Sequence, residues 1–285
     1  MASHPRVLYG WDRVRVAEMP SKLPVNQIIG ETFGHVFGNL RPLARAAVVP
    51  WIALIAVALR GELAQQEGHM TIYGTVLWTV VQVAAVIPFQ TQVYRFAVAA
   101  TPDNTPRFGW PWGARETRCA LNVLALLMLS AGILAAALVV AFAVTGPGPQ
   151  ASSSEAMDRI AAIATLAGLP TAIVVLYGTA RLSLVLPAAA VGHPANWRVL
   201  WQATSANGWR LVWITVVTAV PGLLAGGIIQ GLHRGAPIMI VAVPLDMLAA
   251  GASLFTVALP ATAVGLAYRH LVVGAARPPS VSVLA

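Results

Sequence analysis

The chain predicts an all-α, polytopic membrane protein, and three observations carry that prediction. Of its 285 residues 58% are hydrophobic and only 10% are charged, against about 25% charged in ordinary soluble domains. The mean hydropathy is +0.73. The charges are also unevenly spread, leaving six apolar segments near 43–60, 72–98, 119–144, 160–191, 211–232 and 238–268. A helix crosses the hydrocarbon with about 20 residues rising 1.5 Å each, so each segment is long enough or nearly so. A water-soluble fold is excluded.

The elements follow in order. Residues 1–24 form a polar tail holding Arg6, Asp12, Arg13, Arg15, Glu18 and Lys22. It lacks the apolar core of a secretory signal, so the first span is expected to direct insertion itself. Residues 25–273 form the six-helix transmembrane domain, and 274–285 a short C-terminal tail. The fourth and sixth segments are overlong and are expected to tilt, or to bend at Pro187 and Pro260. The loop from Gly146 to Glu155 is rich in Gly, Pro and Ser and reads as a flexible connector.

Before each odd-numbered span lies a stretch that reads as an amphipathic interfacial helix. Before the first, Val25, Ile28, Ile29, Phe33, Val36, Phe37 and Leu40 recur at helical spacing, with Asn26, Gln27, Glu31, His35 and Asn39 between them. Gly30, Gly34 and Gly38 would allow a close backbone approach on the same helix. Before the third, Arg107 to Arg118 mixes Phe108, Trp110 and Trp112 with basic residues. Before the fifth, Asn196 suits an N-cap, Trp197, Leu200, Trp201 and Thr204 share a face, and Asn207-Gly208 suits a helix stop. The even spans echo one another: Ser183-Leu-Val-Leu-Pro-Ala-Ala-Ala-Val-Gly192 and Thr256-Val-Ala-Leu-Pro-Ala-Thr-Ala-Val-Gly265 agree at six of ten positions. The simplest organisation is a threefold internal repeat of interfacial helix, span, turn and span, a pattern found among transporters and also open to a plain structural bundle.

Orientation follows from the basic residues. Fifteen of the 18 Lys and Arg fall on one side of the six segments, leaving only Arg60, Arg159 and Arg234 on the other. Both termini are therefore expected in the cytoplasm of a bacterial inner membrane. Trp110, Trp112, Trp197, Trp201 and Trp209 fall in the same basic connections, where amphipathic rings settle at headgroups.

The run Ala180-Arg-Leu-Ser-Leu-Val-Leu-Pro-Ala-Ala-Ala-Val-Gly192, the stretch ending Ser205-Ala-Asn-Gly-Trp-Arg210, and the opening Ile28-Ile-Gly-Glu-Thr-Phe-Gly-His-Val-Phe-Gly-Asn-Leu-Arg-Pro42 carry a resemblance. They resemble bacterial six-span proteins classed with the membrane domain of glycerophosphodiester phosphodiesterases. In that family the phosphodiesterase resides in a separate soluble barrel. The longest polar stretch here, the N-terminal 42 residues, has no room for one, and no catalytic residue carries over.

Within the spans Asp246 is the only acidic residue. An intramembrane carboxylate costs at least ~2.5 kcal/mol on insertion scales and is expected to face the bundle interior or water. Gln82 and Thr171 fall at a similar depth, so the three would form an intramembrane polar site, serving proton or solute movement or else fixing helix register. Arg95 and Arg181 near the inner ends of spans two and four, with Trp197, Trp201 and Arg210, are headgroup or interfacial candidates. Their guanidinia could snorkel to lipid phosphate or clamp the interfacial helices through carbonyls. Glu31 and His35 read as a surface pair rather than metal ligands, and Gly222, Gly226, Gly227 and Gly231 as helix packing. His193 lies in a turn.

The single cysteine, Cys119, excludes an intramolecular disulfide or thiolate metal cage. HExxH, G-x-S-x-G, P-loop and paired-aspartate signatures are missing, so no enzyme and no cofactor is implied. The net charge of +8 is read as membrane-directed, not as nucleic-acid binding. The expected partners are membrane lipids, anionic ones first, and a protein partner or a second copy. The first expectation is a non-catalytic, lipid-associated scaffold or accessory subunit. A small-solute transporter using Asp246 is the alternative, disfavoured because only Gln90, Gln92 and Asn122 would line a path below it.

Overall fold

A computed structural model describes residues 22–66, 72–99, 106, 108–145, 153–194, 196–235 and 239–273. The tails 1–21 and 274–285 lie outside them, as do residues 146–152 of the expected connector. Among the described residues the chain is all-helical: α1 (Val25–Gly38), α2 (Leu40–Gln66), α3 (Ile72–Val98), α4 (Ala114–Thr145), α5 (Ser153–Leu182), α6 (Val185–Ala190), α7 (Trp197–Ala203), α8 (Gly208–Gly235) and α9 (Met239–Tyr268), closed by a π-helical turn at Arg269–Val273.

Five stretches are long and apolar enough to cross a membrane: Leu40–Gly61, Ala114–Ala141, Gly168–Ala190, Gly208–Leu232 and Val243–Val273. The expected second span is helical throughout as α3 but is not one of those five among the described residues.

The last half of α9 is the centre of the bundle. It packs on α1, α2, α3, α6 and α8, and Leu259, Ala261, Thr262, Ala263, Val264, Leu266, Ala267 and Tyr268 are all buried. A helix buried on every side must be apolar all round, and small residues let its neighbours approach. A Cβ placed on Gly265 would stand 2.8 Å from Ala97 Cβ of α3, and one on Gly222 of α8 would stand 2.6 Å from the Thr256 Cα of α9. Gly226, Gly227 and Gly231 face open space. The four glycines share a spacing, yet only Gly222 makes the helix contact predicted for all of them.

Several local expectations are corrected. Residues 108–113 are irregular, not an interfacial helix. Pro111 biases Trp110 away from helical angles, and Gly109 takes φ 124°. Helix α4 then starts at Ala114, where Glu116 reaches back to accept the Gly113 N–H at 3.0 Å and caps the first turn. The fourth span divides into α5 and α6. Pro187 offers no N–H to the Ser183 carbonyl, which accepts from Leu186 at 3.0 Å instead. By contrast α9 is one helix across Pro244 and Pro260. The two echoing segments thus take different shapes, a break with a turn at Gly192 (φ 81°) in one and a continuous helix in the other.

Helix α1 forms where expected, with its face rotated. Ile28, Thr32 and Val36 are buried against α8 and α9, whereas Phe37 and Leu40 are exposed. Its stripe packs on protein, and Gly30, Gly34 and Gly38 look into open space instead of meeting a backbone. Helix α7 starts at the predicted N-cap: the Asn196 side chain accepts from Arg198 and Val199 N–H at 3.1 and 3.4 Å.

Candidate functional site

The ends of α3, α5 and α9 and the starts of α2, α4 and α8 meet α1, α6 and α7 at one end of the bundle, and the chain's polar chemistry gathers there. Arg181, in the last turn of α5, is buried. Its Nε donates to Thr204 Oγ1 at 3.0 Å, its Nη2 to the Trp201 carbonyl, and its Nη1 to Tyr177 Oη at 3.5 Å. The guanidinium also lies 3.6 Å from the Trp201 ring centroid and 5.6 Å from that of Tyr177. A planar cation can satisfy such a mixed set because its donors fork in the plane while its faces stack on rings. Of the two roles open to it from sequence, Arg181 performs the clamp: it fixes α7 to α5 through a carbonyl. Trp201 keeps 39% exposure and Trp197 is partly buried, so both still reach the surface.

Arg210 does the same for the N-terminal segment. Its Nη1 donates to the Leu23 carbonyl at 2.8 Å, and the Leu23 N–H donates to the buried Asn207 Oδ1 at 2.9 Å. Asn207, read from sequence as part of a stop signal, ends the turn after α7 and tethers the strand of chain entering α1. Arg95 is half-buried in the last turn of α3.

On the outer side of α1 the Glu31 carboxylate collects three neighbours. Gln27 Nε2 donates to Oε1 at 2.7 Å, Arg269 Nη2 donates to Oε2 at 3.1 Å, and His270 Nε2 lies 3.7 Å away. The π-helical turn presents Arg269 and His270 together, widening the last turn so that both face α1. His35, one turn on from Glu31, packs tilted against Phe96 with ring centroids 4.5 Å apart. Burial, then the positive charge of Arg269, hold its pKa below the ordinary 6.5. His193 Nδ1 meets Tyr268 Oη at 2.8 Å, and burial lowers its pKa also. Among the described residues no cluster of three His, Cys, Asp or Glu could hold a metal.

The three residues of the expected intramembrane polar site lie on three different helices. Asp246 is buried in α9, Gln82 is exposed on α3, and Thr171 is half-buried on α5, a helix that packs on α4, α7 and α8. One residue along α9 from Asp246, the Met247 carbonyl accepts from Trp51 Nε1 of α2 at 2.8 Å. Gly251 lies in van der Waals reach of that indole, its Cβ position 3.8 Å from Nε1. Sequence reasoning passed over Trp51; the available signal was a Trp standing inside a span, away from the basic belt.

Trp51, Gly251 and Phe255 separate two apolar grooves. One, of about 340 Å³, lies between α1, α2, α3 and α9 and is lined by Val36, Leu43, Ala47, Phe89 and Leu254 among others. The second, of about 400 Å³, continues between α8 and α9 past Pro221 and Leu248. No charged side chain lines either.

Among the described residues, the fold defines an all-helical, multi-pass membrane-type protein. Comparison with protein-family models, with curated proteins and with solved structures finds no match to this chain.

Proposed function

We propose that this chain is a non-catalytic, lipid-associated scaffold or accessory subunit of the bacterial inner membrane. In this reading six helices cross the bilayer, both termini are cytoplasmic, and the tightly packed end of the bundle sits at the cytoplasmic leaflet. The resemblance to the membrane domain of glycerophosphodiester phosphodiesterases belongs to the same proposal.

One observation carries it. At that end Arg41, Arg45, Arg115, Arg118 and Arg198 are exposed with no acidic partner among the described residues. Trp110, Trp112, Trp201 and Trp209 are exposed alongside them. Anionic headgroups attract such residues by about 1 kcal/mol each, and indoles anchor at the same depth. The apolar surface of α4, including Leu121, Leu124, Met128 and Val139, is exposed too and would meet lipid or a partner helix.

Native mass spectrometry of the detergent-purified protein tests the reading. Retention of anionic phospholipid in preference to zwitterionic is the expected outcome, and a lipid-free protein would sink it. The buried Asp246 carboxyl favours the second reading, a small-solute transporter. A proteoliposome flux abolished by Asp246→Asn would replace the scaffold with that reading.

A further inference from the structure

We infer that the groove between α2 and α9 is a binding site for one anionic phospholipid of the cytoplasmic leaflet, with an acyl chain in the groove and the phosphate held by Arg41 and Arg45. This rests on the lipid-associated reading above and names the place and the class of lipid.

The groove has the dimensions of a single chain in a single leaflet. Its α2 wall runs from Leu40 to Trp51, a rise of about 16 Å, roughly half of the ~30 Å hydrocarbon thickness. Its floor is the Trp51 indole, and the one polar atom of that ring is already committed to the Met247 carbonyl. A polar solute would therefore find no partner inside, whereas a hydrocarbon chain needs none.

Two arginines flank the residues of α2 that line the groove. Arg41 and Arg45 stand four apart on the first turns of α2, each three residues before a groove residue, Ala44 and Val48. Both are exposed and neither has an ion-pair or hydrogen-bond partner among the described residues. Side chains three and four apart share a helix face, so one phosphate can be reached by both guanidinia, which suit it as forked donors. By contrast, Arg181, Arg210 and Arg269 donate to protein groups. Among the described arginines without a protein partner, Arg41 and Arg45 are the two on the helix that forms a wall of this groove.

The test is native mass spectrometry of protein exchanged into equal parts phosphatidylglycerol and phosphatidylcholine, using wild type, Arg41→Gln/Arg45→Gln and Ala47→Phe. Wild type is expected to hold one phosphatidylglycerol. The double variant should lose roughly tenfold of its preference for phosphatidylglycerol over phosphatidylcholine, and Ala47→Phe, which fills the groove, should lose both lipids. An unchanged melting temperature in both variants certifies the fold, and Ala44→Phe serves as a second groove-filling variant if Ala47→Phe fails that check. Lipid that survives every variant overturns this site while leaving lipid association standing. A wild-type protein without lipid overturns both.

Discussion

Arg181 shows how a charged residue near a bilayer can serve the protein instead of the lipid. It is buried, it donates to Thr204, Trp201 and Tyr177, and it stacks on two rings. Removing it leaves buried acceptors without their charged donor, a loss of about 2 kcal/mol. Arg181→Ala is therefore expected to lower the melting temperature in detergent, and Arg181→Lys to recover less than half of the loss, since an ammonium neither forks nor stacks. A lysine variant as stable as wild type would remove the clamp from the account. His35 and His193 give a pH dependence. Their folded pKa values lie below the ordinary 6.5 through burial, with Arg269 adding to it at His35. The unfolded chain thus binds more protons below that value, so their contribution is full above about pH 6.5 and is lost as pH falls through it toward the lowered folded pKa. Melting temperature should drop from pH 7.5 to 5.5 (both values approximate), and His35→Gln should flatten the slope. An unchanged slope would place the titration elsewhere.

At the scale of elements, glycines separate what spacing predicts from what packing decides. Gly222 and Gly226 stand one turn apart on α8, yet only Gly222 meets the backbone of Thr256. Gly222→Ala is expected to cost roughly 1–3 kcal/mol by forcing α8 and α9 apart, and Gly226→Ala to add about 0.5–1 kcal/mol by restricting the unfolded chain. Thermal unfolding of the two variants side by side reads the contrast, and equal effects would contradict the close crossing. The helices themselves were legible: α7 with its Asn196 cap, α1 with its start, and the long apolar segments all follow from local chemistry. The stretch before α4 was misread because aromatic and basic residues resemble an interfacial helix by composition, while Gly109 and Pro111 bar the backbone angles it needs. The face of α1 was misread because lipid and a neighbouring helix are equally apolar, so a hydrophobic stripe does not say which of them it meets.

Among the described residues of the whole molecule, the most deeply buried side chains lie toward one end. Leu184, Val185, Leu211, Ile214, Leu259 and Tyr268 are fully or almost fully buried there, while Val76 and Val80 on α3, Leu134 and Val140 on α4, and Leu224 and Leu232 on α8 are exposed toward the other. The proposed orientation makes a checkable statement. With Cys119→Ser removing the native thiol, Gln150→Cys should react with a membrane-impermeant maleimide added outside spheroplasts, and Arg198→Cys only after lysis. The reverse pattern would invert the topology and take the basic end away from the cytoplasmic leaflet.

Local sequence alone is enough to read an all-helical membrane-type chain, the course of its apolar helices, and the shared connections of its basic residues and tryptophans. Those are properties of local stretches, because partition into hydrocarbon sums over about twenty neighbouring residues and needs no partner. It took the packed helices to show that Arg181 and Arg210 donate to the carbonyls of Trp201 and Leu23, that Asp246 is buried while Gln82 is exposed, and that Trp51 lines an apolar groove between α2 and α9. Those depend on how each helix is rotated about its axis. In an apolar surrounding, hydrophobicity does not set that rotation; it follows from close packing at positions such as Gly222 and Gly265 and from a few hydrogen bonds between residues far apart in the chain.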